Sequence, residues 1–126
     1  MRLGKRKSPL PSLQHSIFSA SLTKFKSQYQ KYLWDLNAKD RVNGRTVLWI
    51  AAQKSKTPLV RFLLAKKVDV NLADKNGITP LAKSIMVNNI RTATMLLSHG
   101  ANPNLGQTDN MLYVLSFARF VNLLQF

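Results

Sequence analysis

Along the chain, apolar residues return at three- and four-residue intervals, the spacing that gives a helix one apolar face. Leu22, Phe25, Tyr29, Leu33 and Leu36 form one such row behind Ser21, a residue type that caps helix starts. Leu59, Val60, Phe62, Leu63 and Leu64 form another behind Thr57-Pro58, where threonine reads as the cap and proline as the first helical residue. A short helix opening at Thr79-Pro80 carries Leu81 and Ile85, and a further one from about Asn89 carries Ile90, Ala93, Leu96 and Leu97. Asn43-Gly44 and Asn76-Gly77 are dipeptides that tolerate the positive φ of a tight turn, as a β-hairpin tip requires.

These signals recur at a constant offset. Arg41-Val-Asn-Gly-Arg-Thr-Val-Leu48 and Asp74-Lys-Asn-Gly-Ile-Thr-Pro-Leu81 place Gly44 and Gly77, Thr46 and Thr79, and Leu48 and Leu81 33 positions apart. The same offset relates Leu63-Leu64 to Leu96-Leu97, and Asp69-Val70-Asn71 to Asn102-Pro103-Asn104. Gly100 follows a helix where a left-handed residue ends it most cheaply. Lys67 holds that place in the first period, at a cost on the order of 1 kcal/mol if it keeps the conformation. Each period reads as a turn, a short helix, a second helix and a turn.

The 33-residue period, the Asn-Gly-x-Thr-Pro-Leu run at Asn76 to Leu81, and the endings Asp69-Val70-Asn71 and His99-Gly100-Ala101-Asn102 resemble ankyrin repeats. Two repeats are legible, 41–73 and 74–105. The resemblance implies an all-α helical solenoid, helix-turn-helix pairs joined by β-hairpin-like loops. Val47 stands where the family has proline, Trp49 and Ala82 stand where it has histidine, and Ser84-Ile85 replaces the small pair kept as Ala51-Ala52. The family's threonine-to-histidine bonding is therefore missing from both repeats, while the small or apolar residues that stacking needs remain.

Two repeats do not bury their faces alone, so the flanks are expected to cap them. Asp35 to Asp40 resembles the Asp69 to Asp74 ending, and 18–40 reads as an N-terminal cap or degenerate half repeat within a domain spanning 18–126. The apolar run from Met111 to Phe126 makes 106–126 a truncated third repeat or an apolar cap, with an apolar helix docking on a partner as the alternative. Residues 1–17 lack apolar periodicity and read as a basic mobile tail; its Lys5-Arg6-Lys7 suits a targeting signal or an anionic surface as well as a solvated tail.

Composition narrows the function. Nineteen Lys and Arg against 5 acids give the 126-residue chain a net charge of +14, which favours an anionic partner or simply reflects a basic proteome. Without cysteine there is neither a disulfide framework nor a thiolate metal site. No apolar run approaches the roughly 20 residues that cross a bilayer. The chain thus reads as soluble and intracellular, in the cytoplasm, with the nucleus or a host-cell cytoplasm also open. All five acids are aspartates, Asp35, Asp40, Asp69, Asp74 and Asp109, a residue type whose short side chain bonds nearby backbone amides in turns and caps. His15 and His99 form no cluster, and no phosphate-binding glycine loop or nucleophile motif is present. No catalytic residue, metal, cofactor or small-molecule substrate is expected.

The resemblance places partner binding on the hairpin tips and the exposed side of each first helix, a concave surface. Residue by residue this names Val42, Asn43, Arg45, Trp49, Gln53 and Lys54, then Lys75, Asn76, Ile78, Ala82, Lys83 and Val87. Trp49 and Ile78 among Arg45, Lys54, Lys75 and Lys83 resemble an anchor set in cations, suited to an acidic or acidic-hydrophobic protein. Core packing is the competing reading for Trp49, and the favoured one. The functional expectation is a protein-binding scaffold, either an adaptor or a bacterial effector acting in a host cell. The alternative is an electrostatic binder of nucleic acid or an anionic membrane surface; against it, the aromatics fall mostly in the apolar faces and are not interleaved with the basic residues as stacking platforms.

Overall fold

The computed structural model describes residues 21–32 and 35–105. The basic tail with Lys5, Arg6 and Lys7, the segment 106–126, His15, Leu33 and Asp109 lie outside the described residues. The described chain forms five helices, α1 (Leu22–Tyr32), α2 (Val47–Gln53), α3 (Thr57–Ala65), α4 (Pro80–Met86) and α5 (Ile90–Ser98), with no strand among the described residues. This is the all-α repeat solenoid that the resemblance implies.

Side-chain caps start most of these helices by taking up amides that have no helical partner. Thr46 accepts from the Trp49 amide at 3.1 Å and Thr79 from the Ala82 amide at 3.1 Å, with Pro80 in the first turn of α4. Asn89 accepts from the Thr92 amide, and Ser21 from the Lys24 amide. The expected cap at Thr57 is not used: α3 already includes Thr57, and Lys56 stands before it without a side-chain cap bond. The cap position falls one residue earlier, at Lys56, the counterpart of the capping Asn89, and a lysine side chain offers no acceptor. The Lys56 N–H reaches back to the Ala51 carbonyl at 2.9 Å, closing the end of α2 and turning the chain directly into α3.

Left-handed residues follow α2, α3, α4 and α5 at the repeat offset. Ser55 (φ 56) corresponds to Asn88 (φ 61), and Lys67 (φ 59) to Gly100 (φ 92). Lys67 thus keeps the conformation that glycine adopts in the next repeat. The amides of Lys56, Asn89 and Ala101 each bond a carbonyl five residues back, the closure that uses such a left-handed residue to satisfy late helix carbonyls.

The layers follow from the apolar faces. Helix α2 packs on α4, α3 on α5, and the members of each pair on one another. Val47, Leu48, Ile50, Val60, Leu63, Leu81, Ala93 and Leu96 make one continuous core, and Phe25 of α1 joins it at 2% exposure. Ser84, fully enclosed, donates its hydroxyl to the Leu81 carbonyl at 2.7 Å and so adds no unsatisfied group. Asparagines on the opposite side stitch successive loops: Asn37 accepts from the Asp69 amide and Asn71 from the Asn102 amide, each at 2.9 Å.

Candidate functional site

The turns that precede α2 and α4 are built around aspartates. Asp74 accepts from the amides of Asn76 and Ile78, and its own N–H bonds the Ile78 carbonyl. Asp40 accepts from the amides of Val42, Asn43 and Arg45, and its N–H bonds the Arg45 carbonyl. The first turn therefore holds one residue more than the second, its aspartate standing one place before the 33-residue register. Partial burial raises the pKa of Asp40, but the amides of Asn43, Arg45, Val42 and Gly44 outweigh it and hold the carboxyl below its ordinary value. Asp35 and Asp69 likewise bond amides two residues on, so the described aspartates are turn builders.

The two tips touch. The Lys75 amide donates to the Asn43 carbonyl at 3.0 Å, and Gly44 (φ +70) lies so close that a Cβ there would stand 3.2 Å from the Lys75 nitrogen. Val42, 74% exposed, with Asn43, Lys75 and Asn76, forms the outer row, while Arg45, Gln53, Ile78 and Lys83 are half-buried behind it. Lys54 and Val87 are exposed at the far ends of α2 and α4.

Of the residues named for this surface, Ala82 lies inside, and Trp49 takes the core position favoured for it. Trp49 is 1% exposed and Ala82 4%, and both belong to the core cluster. The indole faces the next repeat and donates its N–H to the Ile78 carbonyl at 3.0 Å. Arg45 covers it, with the guanidinium carbon 4.1 Å from the ring centroid, and Lys83 sets its Nζ at 5.3 Å. The cations named from the sequence are thus at the surface, while the aromatic group serves as the base beneath them.

Met86 belongs to the exposed face and is absent from the sequence-derived set. It is 43% exposed and sits 33 positions after Gln53, so the repeat offset alone identifies it. Ile90, 56% exposed at the start of α5, extends the apolar surface beside Met86 and Val87.

The second helices carry a separate cluster. Phe62 of α3 meets Phe25 and Tyr29 of α1 edge-on at 6.0 and 5.9 Å. Lys26 and Lys66 bring their ammonium groups to 5.3 and 5.5 Å from the Phe62 centroid, and Lys66 also lies 5.6 Å from Tyr29. The expected separation of aromatic from basic residues does not hold here, because the ammonium groups of exposed lysines stand over half-buried rings. Among the described residues no group of three or more His, Asp or Glu is placed to hold a metal, and no helix is long and apolar enough to cross a membrane.

Comparison with known proteins agrees with this geometry. A family model described as ankyrin repeats, in three copies, matches residues 17–107. BTB/POZ domain-containing protein 1 of Schizosaccharomyces pombe is 46% identical over 65 residues, which are 50% of this chain and 5% of that protein. Ankyrin repeat and LEM domain-containing protein 1 homolog of Caenorhabditis elegans is 35% identical over 69 residues, 53% of this chain and 10% of that protein. The chain therefore spans a small fraction of these relatives. A solved chain from the Bd0816 predatory endopeptidase of Bdellovibrio bacteriovorus in complex with immunity protein Bd3460 superposes with a TM-score of 0.77 at 30% identity, covering 91% of this chain and 63% of that one.

Proposed function

The chain belongs to the ankyrin-repeat family, and from that premise we propose that it is a non-catalytic scaffold whose hairpin tips and inner helices hold an acidic or acidic-hydrophobic segment of a partner protein. One observation carries the reading. The acids of this face, Asp40 and Asp74, are taken up by the amides of their own turns, while Arg45, Lys75 and Lys83 stand among Val42, Ile78, Met86 and Val87. The face therefore offers positive charge interleaved with apolar surface, the complement of an acidic segment carrying apolar side chains. The similar chain from an endopeptidase and immunity-protein complex fits a role in holding another protein.

The test is site-specific photo-crosslinking in lysate, with the reactive group at Asn76 on the tip row and, separately, at Lys24 on α1. Acidic proteins captured from Asn76 and not from Lys24, and retained between about 150 and 500 mM salt, are the expected result, since the apolar part of the contact is not screened. Capture from Lys24 alone overturns the reading.

A second reading, an electrostatic binder of nucleic acid, is favoured by the Phe62 and Tyr29 rings with Lys26 and Lys66 upon them. It predicts binding that falls steeply with salt and is lost in a Lys26→Gln, Lys66→Gln double variant.

A further inference from the structure

Resting on the scaffold reading, we infer that Arg45 and Lys83 together form the receptor for a single carboxylate side chain of the partner, gripped end-on by the guanidinium. The two cations come from successive repeats, Arg45 from the exit of the first hairpin and Lys83 from α4, yet one indole holds both. Trp49 is itself fastened by its bond to the Ile78 carbonyl, so the base on which they rest is fixed.

The direction of approach follows from one atom. The Arg45 Nε is enclosed and has no hydrogen-bond partner, so a ligand does not reach the side of the guanidinium that includes it. The two Nη groups form the remaining edge, and the paired N–H bonds of that edge match the two oxygens of a carboxylate. Lys83, held at 5.3 Å from the same ring, adds a compact charge without a directional demand of its own.

Among the described residues no counter-ion is built in. The carboxylate of Asp40, five residues before Arg45, accepts from the Arg45 backbone amide and from those of Val42 and Asn43, and that of Asp74 accepts from Asn76 and Ile78. Two positive groups are thus brought onto one ring with the nearest acids committed elsewhere. The apolar side chains of Ile78 and Val42 on the neighbouring tips select a peptide acid with apolar neighbours over a bare phosphate chain.

The experiment uses the full chain and a synthetic ten-residue peptide of alternating glutamate and leucine, read by isothermal titration and by the indole N–H resonance of Trp49. Wild type is expected to bind with a shift of that resonance. Arg45→Lys, which keeps the charge and loses the fork, weakens binding about tenfold, and Lys83→Gln weakens it several-fold. Lys24→Gln on α1 leaves affinity unchanged. Circular dichroism melts establish that each variant is folded, and Arg45→Gln serves as the second variant at the fork.

Equal affinity of Arg45→Lys and wild type overturns the proposal, as does an equal loss in Lys24→Gln, because either result means that charge alone suffices. Peptide binding that fails in wild type, while acidic proteins still crosslink to Asn76, removes the two-cation receptor and leaves the scaffold reading standing. Arg45-dependent peptide binding with crosslinks only at Lys24 supports the receptor and removes the scaffold reading of the tip row.

Discussion

The indole N–H of Trp49 donates to the carbonyl oxygen of Ile78 at 3.0 Å, tying the inner helix of one repeat to the hairpin tip of the next. The family pattern has histidine at position 49, and here a larger ring both fills the space between repeats and supplies the donor. Trp49→Phe keeps an aromatic ring but removes the link between the inner helix and the Ile78 carbonyl, which retains the Asp74 amide as a donor. It is expected to cost about 1 kcal/mol, read as a lower urea midpoint with an unchanged slope.

Gly44 is the residue at which the two tips meet. Its φ of +70 is a left-handed conformation, and an added Cβ would stand 3.2 Å from the Lys75 nitrogen, which bonds the Asn43 carbonyl. Gly44→Ala is expected to destabilise the chain by about 1–2 kcal/mol from backbone strain, with a further penalty if the tips part. Thermal unfolding followed by circular dichroism measures the first effect, and exchange of the Lys75 amide reports the second.

Lys67 offers the reverse change. It holds a left-handed conformation, φ 59, at the position where the second repeat has Gly100. Lys67→Gly is expected to stabilise the fold by about 0.5–1 kcal/mol, the relief of strain exceeding the added freedom of the unfolded chain. A urea midpoint at or below that of wild type contradicts this.

Asp40 predicts a dependence on pH. Its folded pKa lies below the ordinary value of 3.8, because backbone amides favour the charged form by more than burial opposes it. Protons are therefore bound more readily by the unfolded chain. The contribution is fully present above the unfolded pKa and is lost as pH falls through the lower, folded one. Urea midpoints measured at about pH 6 and about pH 3 should fall less in Asp40→Asn than in wild type.

Phe62 links the first two outer helices through Phe25 and Tyr29. Phe62→Ala is expected to cost about 3 kcal/mol, the low end for a large-to-small change because the ring is half-buried. Phe62→Leu should recover most of the stability but not the ring contacts of Lys26 and Lys66. Comparing nucleic-acid retention in these two variants separates a structural role of the ring from a binding one.

Much of this architecture is legible in the chain because its signals act over a few residues. Thr46 and Thr79 start helices through amides three residues on, the aspartates shape turns through amides two to five residues on, and the left-handed positions recur with the repeat. Thr57 misled because the cap position falls one residue earlier, at Lys56, where the second repeat has the capping Asn89. Met86 was recoverable from its offset of 33 to Gln53.

What the sequence by itself determined is the unit: a 33-residue turn, helix, helix and turn, its caps and its apolar faces, all set by short-range backbone preference and helical periodicity. What only the tertiary structure decided is which groups face outward once units stack. Lys83 reached Trp49 and Lys26 reached Phe62 across about 34 to 36 positions, joining rings that Arg45 and Lys66 meet from four residues away, because stacking brings successive units together. Side-chain exposure is a property of those contacts, and no local spacing encodes it.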